Sequence, residues 1–233
     1  MIKRGILAIA CSLMVVIASA QEGLQTTINA DVVNHYVWRG MELGNASVQP
    51  TLGIAWKGLS LSAWGSVGIA RAEDMKEIDL TLQYTTGGLT VGLVDYWNDT
   101  ADPRYLYYQA HGTGHVFEAF AAYDFGPLSV SWQTNFAGND KKKSQGKQAY
   151  SSYAEVQAPF RLATCDWQAA VGLVPYASDY YETTGFAVTN VSLRASKPLK
   201  ISDQFSLPLF AQLVANPSSG NAYFVFGITI SVD

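Results

Sequence analysis

The chain of 233 residues holds only two cysteines, Cys11 and Cys165. Cys11 falls inside an amino-terminal apolar segment, so Cys165 stands alone in the rest and no internal disulfide can form. That excludes a small extracellular module stapled by disulfides. Basic residues are also sparse, 15 Lys and Arg against 19 Asp and Glu for a formal net charge of −4. No basic stripe of the kind nucleic acid requires is present. The three histidines are His35, His111 and His115, and a hydrolase would need one beside a nucleophile and an orienting group. Beyond residue 20 no segment reaches the roughly 20 consecutive apolar residues of a spanning helix.

The first twenty residues, MIKRGILAIACSLMVVIASA, have the layout of a secretory signal. Lys3 and Arg4 form the basic start, Ile6 to Ile17 the apolar core, and Ala18-Ser19-Ala20 the small-residue exit. Cys11 interrupts the apolar core and Ala8 suits a lipobox poorly, which argues against a lipoprotein. The run is also too short for an uncleaved anchor. The expected mature chain is one domain, residues 21–233, with a formal charge lower by two once Lys3 and Arg4 are removed.

From Gln25 onward apolar and polar residues alternate with period two, the mark of strands with two unlike faces. In SVQPTLGIAWKG, Val48, Leu52, Ile54 and Trp56 share one face while Ser47, Gln49, Thr51 and Gly53 share the other. The runs predict twelve strands, near 27–38, 47–57, 59–70, 76–86, 89–97, 115–125, 128–137, 149–159, 166–176, 186–197, 205–214 and 222–232. Each is about 9–12 residues, the length of a tilted membrane-crossing strand. Tight turns at 57–58, 86–88 and 126–127 are interleaved with long loops at 98–114, 138–148 and 177–185. The expected fold is all-β, a closed antiparallel transmembrane barrel of about twelve strands in a bacterial outer membrane. Its termini would be periplasmic and its long loops extracellular.

Alternation alone does not say which face points outward. The leader, the strand lengths and the aromatic residues near strand ends (Trp38, Trp56, Trp97, Trp132, Trp167, Tyr176) favour an apolar face toward lipid. A secreted soluble ligand-binding barrel is the weaker alternative. Three positions fit this pattern poorly. Pro208 removes a ladder donor and predicts a bulge. Asp95 shares the lipid-facing parity of Leu93 unless its strand bulges. The terminal Asp233 replaces the aromatic residue common at the end of such barrels.

The stretch YVWRGMELGNASVQPTLGIAWKGLSLSAWGS resembles the start of the TorF-family porins, in which an aromatic-Arg-Gly corner precedes a proline strand, a Gly-Leu turn and a Trp-x-Ser strand. Glu77-Ile78-Asp79, VGLVDYW at 91–97 and FEAF at 117–120 follow in the same order. The similarity covers about residues 30–125, with Glu42 and Leu43 where the family has Ser and Gln. The resemblance implies a porin-type barrel and names no solute.

With apolar faces outward, parity turns Arg39, Glu77, Asp79, Glu118, Asp124, Glu155, Gln157, Asn190 and Arg194 inward. Arg39 is expected to end the first strand and pair with one or more of Glu77, Asp79 and Glu118, beside Trp38 in an interfacial girdle. Two readings stay open: a salt-bridge network bracing the barrel, or a charged constriction that selects solutes by its field. His111-Gly112-Thr113-Gly114-His115 lacks a third metal ligand nearby, so neither metal nor other cofactor is expected. The Lys141-Lys142-Lys143 run reads as a solvated loop.

The functional expectation is a non-enzymatic, narrow, passive pore for small hydrophilic solutes. Trp64, Tyr153 and Phe210 would narrow it. Carboxylates dominate its inward charges, giving a mild preference for cations or neutral molecules, and the inward Arg and Lys stripes that acidic sugars would need are missing. The alternative is a plugged structural or surface-binding barrel contacted through loops 98–114 and 138–148. Partners are outer-membrane lipid and the solutes themselves.

Overall fold

The computed structural model describes residues 23–71, 73–110, 112–142, 144–201 and 206–231. The expected leader, His111, Lys143 and Asp233 lie outside these residues. Among them, every regular element is a strand. In chain order these are β1 (Leu24–Val33), β2 (Tyr36–Trp38), β3 (Met41–Gly44), β4 (Ser47–Trp56), β5 (Leu59–Gly68), β6 (Glu77–Thr86) and β7 (Leu89–Asn98). The second half continues with β8 (Val116–Asp124), β9 (Ser129–Gly138), β10 (Ser152–Leu162), β11 (Cys165–Val174), β12 (Ala187–Lys200), β13 (Ser206–Asn216) and β14 (Asn221–Ser231).

All but β2 and β3 form a single closed antiparallel barrel. β1 pairs with β4 from Leu24↔Trp56 to Val33↔Ser47, and with β14 from Asn29↔Ser231 to Val33↔Gly227. Closure leaves no free edge, as a lipid environment demands.

Tight turns at one end alternate with longer connections at the other. Lys57-Gly58 and Gly87-Gly88 both have positive φ at the two central residues, the signature of type I′ hairpins whose twist matches the flanking strands. Connections 34–46, 69–76, 99–115, 139–151 and 175–186 gather at the opposite, loop end.

The faces sort as the alternation requires. Leu52, Ile54, Trp56, Leu61, Leu82, Leu93, Leu213, Phe224 and Phe226 are exposed on the outer wall. Ser47, Gln49, Ser66, Glu77, Asp79, Glu118, Thr189, Asn190 and Ser192 are buried within. A soluble barrel would reverse this, so the exterior is built for lipid. Trp56, Tyr84, Tyr123, Phe125 and the stacked pair Phe160–Trp167 ring the turn end, where aromatic side chains bridge apolar and polar phases.

Three expectations need correction. Pro208 causes no bulge in its ladder with β12, because it sits opposite Pro198 in a continuous register, and the pairing of β13 with β14 starts only at Leu209↔Ile228. Two residues without N–H thus face each other where neither is required as a donor. Asp95 does point outward, with no bulge in β7. The connection 99–115 instead folds over the outer wall. His115 Nδ1 lies 2.7 Å from Asp95 Oδ1 and the Tyr108 hydroxyl donates to Oδ2 at 3.1 Å. The imidazole is fully buried, with its Nε2 2.6 Å from the Tyr105 carbonyl. Finally, the first strand ends at Val33 rather than reaching Trp38.

Asn34 explains that ending. Its Nδ2 donates to the Phe224 carbonyl at 3.0 Å, and its Oδ1 accepts from Phe226 N at 2.8 Å. An amide side chain thus satisfies backbone groups of β14 that a longer first strand would have paired. The main chain is released and turns into the lumen.

Candidate functional site

β2 and β3 form a hairpin inside the barrel, with Trp38 opposite Met41 across the two-residue turn Arg39-Gly40. Both turn residues have positive φ, 50° and 81°, the same conformational pair as Lys57-Gly58. The hairpin leaves the wall between β1 and β4 and its tip reaches β12, three strands round from β1. A Cβ on Gly40 would stand 1.7 Å from the Thr189 carbonyl oxygen of β12, so only glycine permits this approach. Asn216 Nδ2 donates to the Gly40 carbonyl at 3.2 Å and fixes the tip. Val37 packs on the inner cluster Val33, Phe210 and Val225, while Trp38 and Met41 pack on Tyr153, Val174 and Tyr181.

Arg39 is the hub. Its Nη1 and Nη2 donate to Glu118 Oε2 and Oε1 at 2.6 and 2.9 Å, a bidentate pair across the lumen. Its guanidinium lies 4.2 Å from the Trp38 ring and 4.7 Å from the Tyr153 ring, and it also donates to the Tyr181 hydroxyl. Glu118 receives a third bond from Tyr96 at 3.0 Å. Two loop-end connections support Tyr181: Asp140 holds Ser151 through two bonds, Ser151 meets Ser178 at 2.7 Å, and Ser178 Oγ accepts from Tyr181 N. Such a buried pair is tolerable because its remaining valences are satisfied.

The other sequence-predicted residues take different positions. Glu77 and Asp79 lie buried on adjacent inward positions of β6, and neither bonds Arg39; Glu77 Oε2 and Asp79 Oδ1 have no hydrogen-bond partner among the described residues. Glu155 belongs to a separate cluster, accepting from Tyr153, Gln157 and Asn190 at 2.5, 2.5 and 2.9 Å. Arg194 lies 3.7 Å over the Phe210 ring. Asp124 lies at the turn end, away from Arg39: it accepts from Gly126 N at 2.7 Å and borders a further cavity of about 300 Å³ with Thr90, Ala122 and Gln168. Trp38 is no girdle residue, since it stands inside against Tyr96, Tyr180 and Tyr181.

Asp31, inward on β1 and bonded by Thr229 at 2.6 Å, was missed, although its parity with Val33 and Gln25 was readable. Tyr96 and Tyr181 were missed as Arg39-Glu118 partners; parity points Tyr96 inward, but nothing local marks Tyr181.

The hairpin divides the lumen. Toward the loop end lies a cavity of about 500 Å³ bordered by Trp38, Met41, Glu77, Tyr96 and Tyr181. Toward the turn end lies one of about 320 Å³ bordered by Arg39, Gln133, Glu155, Gln168, Asn190 and Arg194. Trp38 borders both.

No family profile and no characterised protein matches the chain by sequence. Solved structures do match. A KdgM porin in complex with disordered oligogalacturonate superposes with a TM-score of 0.50 at 7% identity, covering 89% of this chain and 99% of that chain. A second KdgM porin structure gives 0.49 at 9% identity over 89% and 99%, and a NanC porin 0.45 at 9% over 90% and 100%. At 7% identity the first of these shows a shared barrel fold.

The inward aromatic residues narrow the lumen less than their size suggests, because glycines let them lie against the wall. A Cβ on Gly92 would meet the Phe120 ring at 2.6 Å, one on Gly227 the Phe210 ring at 2.5 Å, and one on Gly172 the Tyr153 hydroxyl oxygen at 1.8 Å. Gly172→Ala is expected to lift the Tyr153 phenol toward Arg39 and destabilise the barrel by about 1–3 kcal/mol. Urea unfolding in lipid vesicles would measure it, with Gly185→Ala as the control because nothing lies within 4 Å of that position. Equal midpoints for the two variants would show that Tyr153 has room to move.

Proposed function

We propose that the chain is an outer-membrane porin of TorF type, a narrow passive pore for small hydrophilic solutes with a mild preference for cations or neutral molecules. Its loop end faces outside the cell and its termini face the periplasm. The observation that carries this reading is the pair of polar-lined cavities, about 500 and 320 Å³, on either side of a hairpin within a barrel whose exterior is apolar. A protein needing only a membrane anchor would fill its lumen with packed side chains, as small barrels do. The charge preference rests on chemistry: Glu118 neutralises Arg39, which leaves Glu77 and Asp79 to set the field beside the hairpin, and such a wall favours cations. An acidic oligosaccharide such as the one named with the KdgM porin would meet those carboxylates directly.

Planar-bilayer recording under a salt gradient tests the proposal. The expected result is a small, steady conductance whose reversal potential indicates modest cation selectivity. Clear anion selectivity would overturn the assignment of the field to Glu77 and Asp79. One observation favours a second reading, a closed structural barrel: the hairpin is fixed at both walls, by Asn34 and by Gly40. Folded protein with no conductance would establish that reading instead.

A further inference from the structure

The loop-end cavity has a charge that the fold does not balance. Three carboxylates border it, Glu42, Glu77 and Glu182, and no lysine or arginine is among its lining residues. Glu42 has a partner in His35 at 2.8 Å, and Glu182 is open to solvent. Glu77 is different: it is only 6% exposed, and its Oε2 has no donor among the described residues. Asp79 stands two residues along the same face with Oδ1 in the same condition. The cation of the hairpin, Arg39, is committed through Nη1 and Nη2 to Glu118. A carboxylate withdrawn from water either gains a compensating charge or takes up a proton, so a cation bound here competes with a proton for Glu77.

The walls indicate what kind of charge. Trp38, Tyr96, Tyr180, Tyr181 and Tyr223 all border the same cavity, and aromatic faces attract bulky, weakly hydrated cations. The barrel already shows the combination working once, since Arg39 lies 4.2 Å from the Trp38 ring while paired with a buried carboxylate. A metal ion fits less well. Calcium takes six or more oxygens and magnesium a near-ideal octahedron, whereas the described residues hold no group of three acidic, histidine or cysteine side chains placed to grip one.

We infer that this cavity is a binding site for a small organic ammonium ion, held by the Glu77 carboxylate and the surrounding rings. The inference rests on the pore reading and names the solute class the pore would favour. A volume of about 500 Å³ admits a trimethylammonium head with room for a short polar tail, and the way in is from the loop end.

Calorimetric titration of the folded full chain in detergent with choline tests the site, using its neutral carbon analogue 3,3-dimethylbutan-1-ol as the comparison. Choline is expected to bind saturably, the analogue not at all, and Glu77→Gln to weaken choline at least tenfold. Tyr180→Leu, which removes a ring and leaves every carboxylate in place, should weaken it severalfold and covers the case of a Glu77→Gln protein that does not fold. Equal binding of the neutral analogue would reduce the site to an apolar pocket and overturn the inference. Tighter displacement of choline by magnesium or calcium would overturn it in favour of a metal. Choline binding without conductance removes the pore reading alone, whereas conductance with no choline binding removes the site alone.

Discussion

Replacing residues 36–44 with a short Gly-Ser linker is expected to raise single-channel conductance roughly threefold or more. Twelve strands enclose a lumen between the filled eight-stranded barrels and the open sixteen-stranded porins, so the wall itself does not close the path. The hairpin does, because Trp38 borders both cavities while Gly40 meets the Thr189 carbonyl of β12 and Arg39 reaches Glu118 of β8. The wall should survive the exchange: β1 and β4 are already paired up to Val33↔Ser47, so the linker joins neighbouring strand ends. Excision would strand the Glu118 carboxylate, which now takes two bonds from Arg39. The variant should therefore carry Glu118→Gln, leaving a side chain that can bond Tyr96 without a charge. Recording wild type and variant under identical salt checks the expectation. Equal conductances would mean that solutes pass beside the hairpin or that another element limits the flow.

The strands were legible because each needs one lipid face and one polar face, and period-two alternation is a direct record of that requirement. In β4, Leu52, Ile54 and Trp56 point out while Ser47 and Gln49 point in, as their parity says. The hairpin was harder to read, although the signal was present. Arg39-Gly40 has the residue pattern and backbone of Lys57-Gly58, which reads at once as a two-residue turn. What hid it was the apolar run before it. Tyr36, Val37 and Trp38 continue the first strand's composition, and a strand that leaves the wall to cross a lumen still buries apolar side chains. The break falls on Asn34, whose side chain bonds the backbone at Phe224 and Phe226. Those partners lie at the opposite end of the chain, so no local pattern contains them.

The site was legible in the same partial way. Parity turned Arg39 and Glu118 inward and proposed their meeting, but it also offered Glu77 and Asp79 as partners, and sequence alone does not choose. The choice depends on how far the hairpin projects, which Gly40 sets by docking at β12 and Asn216 secures from β13. Asp124 shows the limit of parity. It faces inward by count, yet it sits at the turn end where its side chain closes a turn. Parity gives direction and says nothing of depth.

Arg39→Ala is expected to destabilise the barrel by about 3–5 kcal/mol, reduced toward the lower value by water in the adjoining cavities. The loss comes less from the pair's own strength than from what remains: Glu118, about 1% exposed, loses both Arg39 bonds and retains only Tyr96. Arg39→Lys should recover only part of the loss, since an ammonium cannot make the bidentate contact or stack between Trp38 and Tyr153 as a planar guanidinium does. Removing both partners, as Arg39→Met with Glu118→Gln, should lie closer to wild type than Arg39→Ala does, because no unpaired charge is left behind. Urea unfolding midpoints in vesicles supply the stability order, and bilayer recordings supply a second readout. Arg39→Ala removes a positive charge from the lumen, so its cation-to-anion permeability ratio should rise, while the double variant should stay near wild type. An Arg39→Ala barrel with the wild-type midpoint and the wild-type ratio would show that this pair governs neither stability nor permeation.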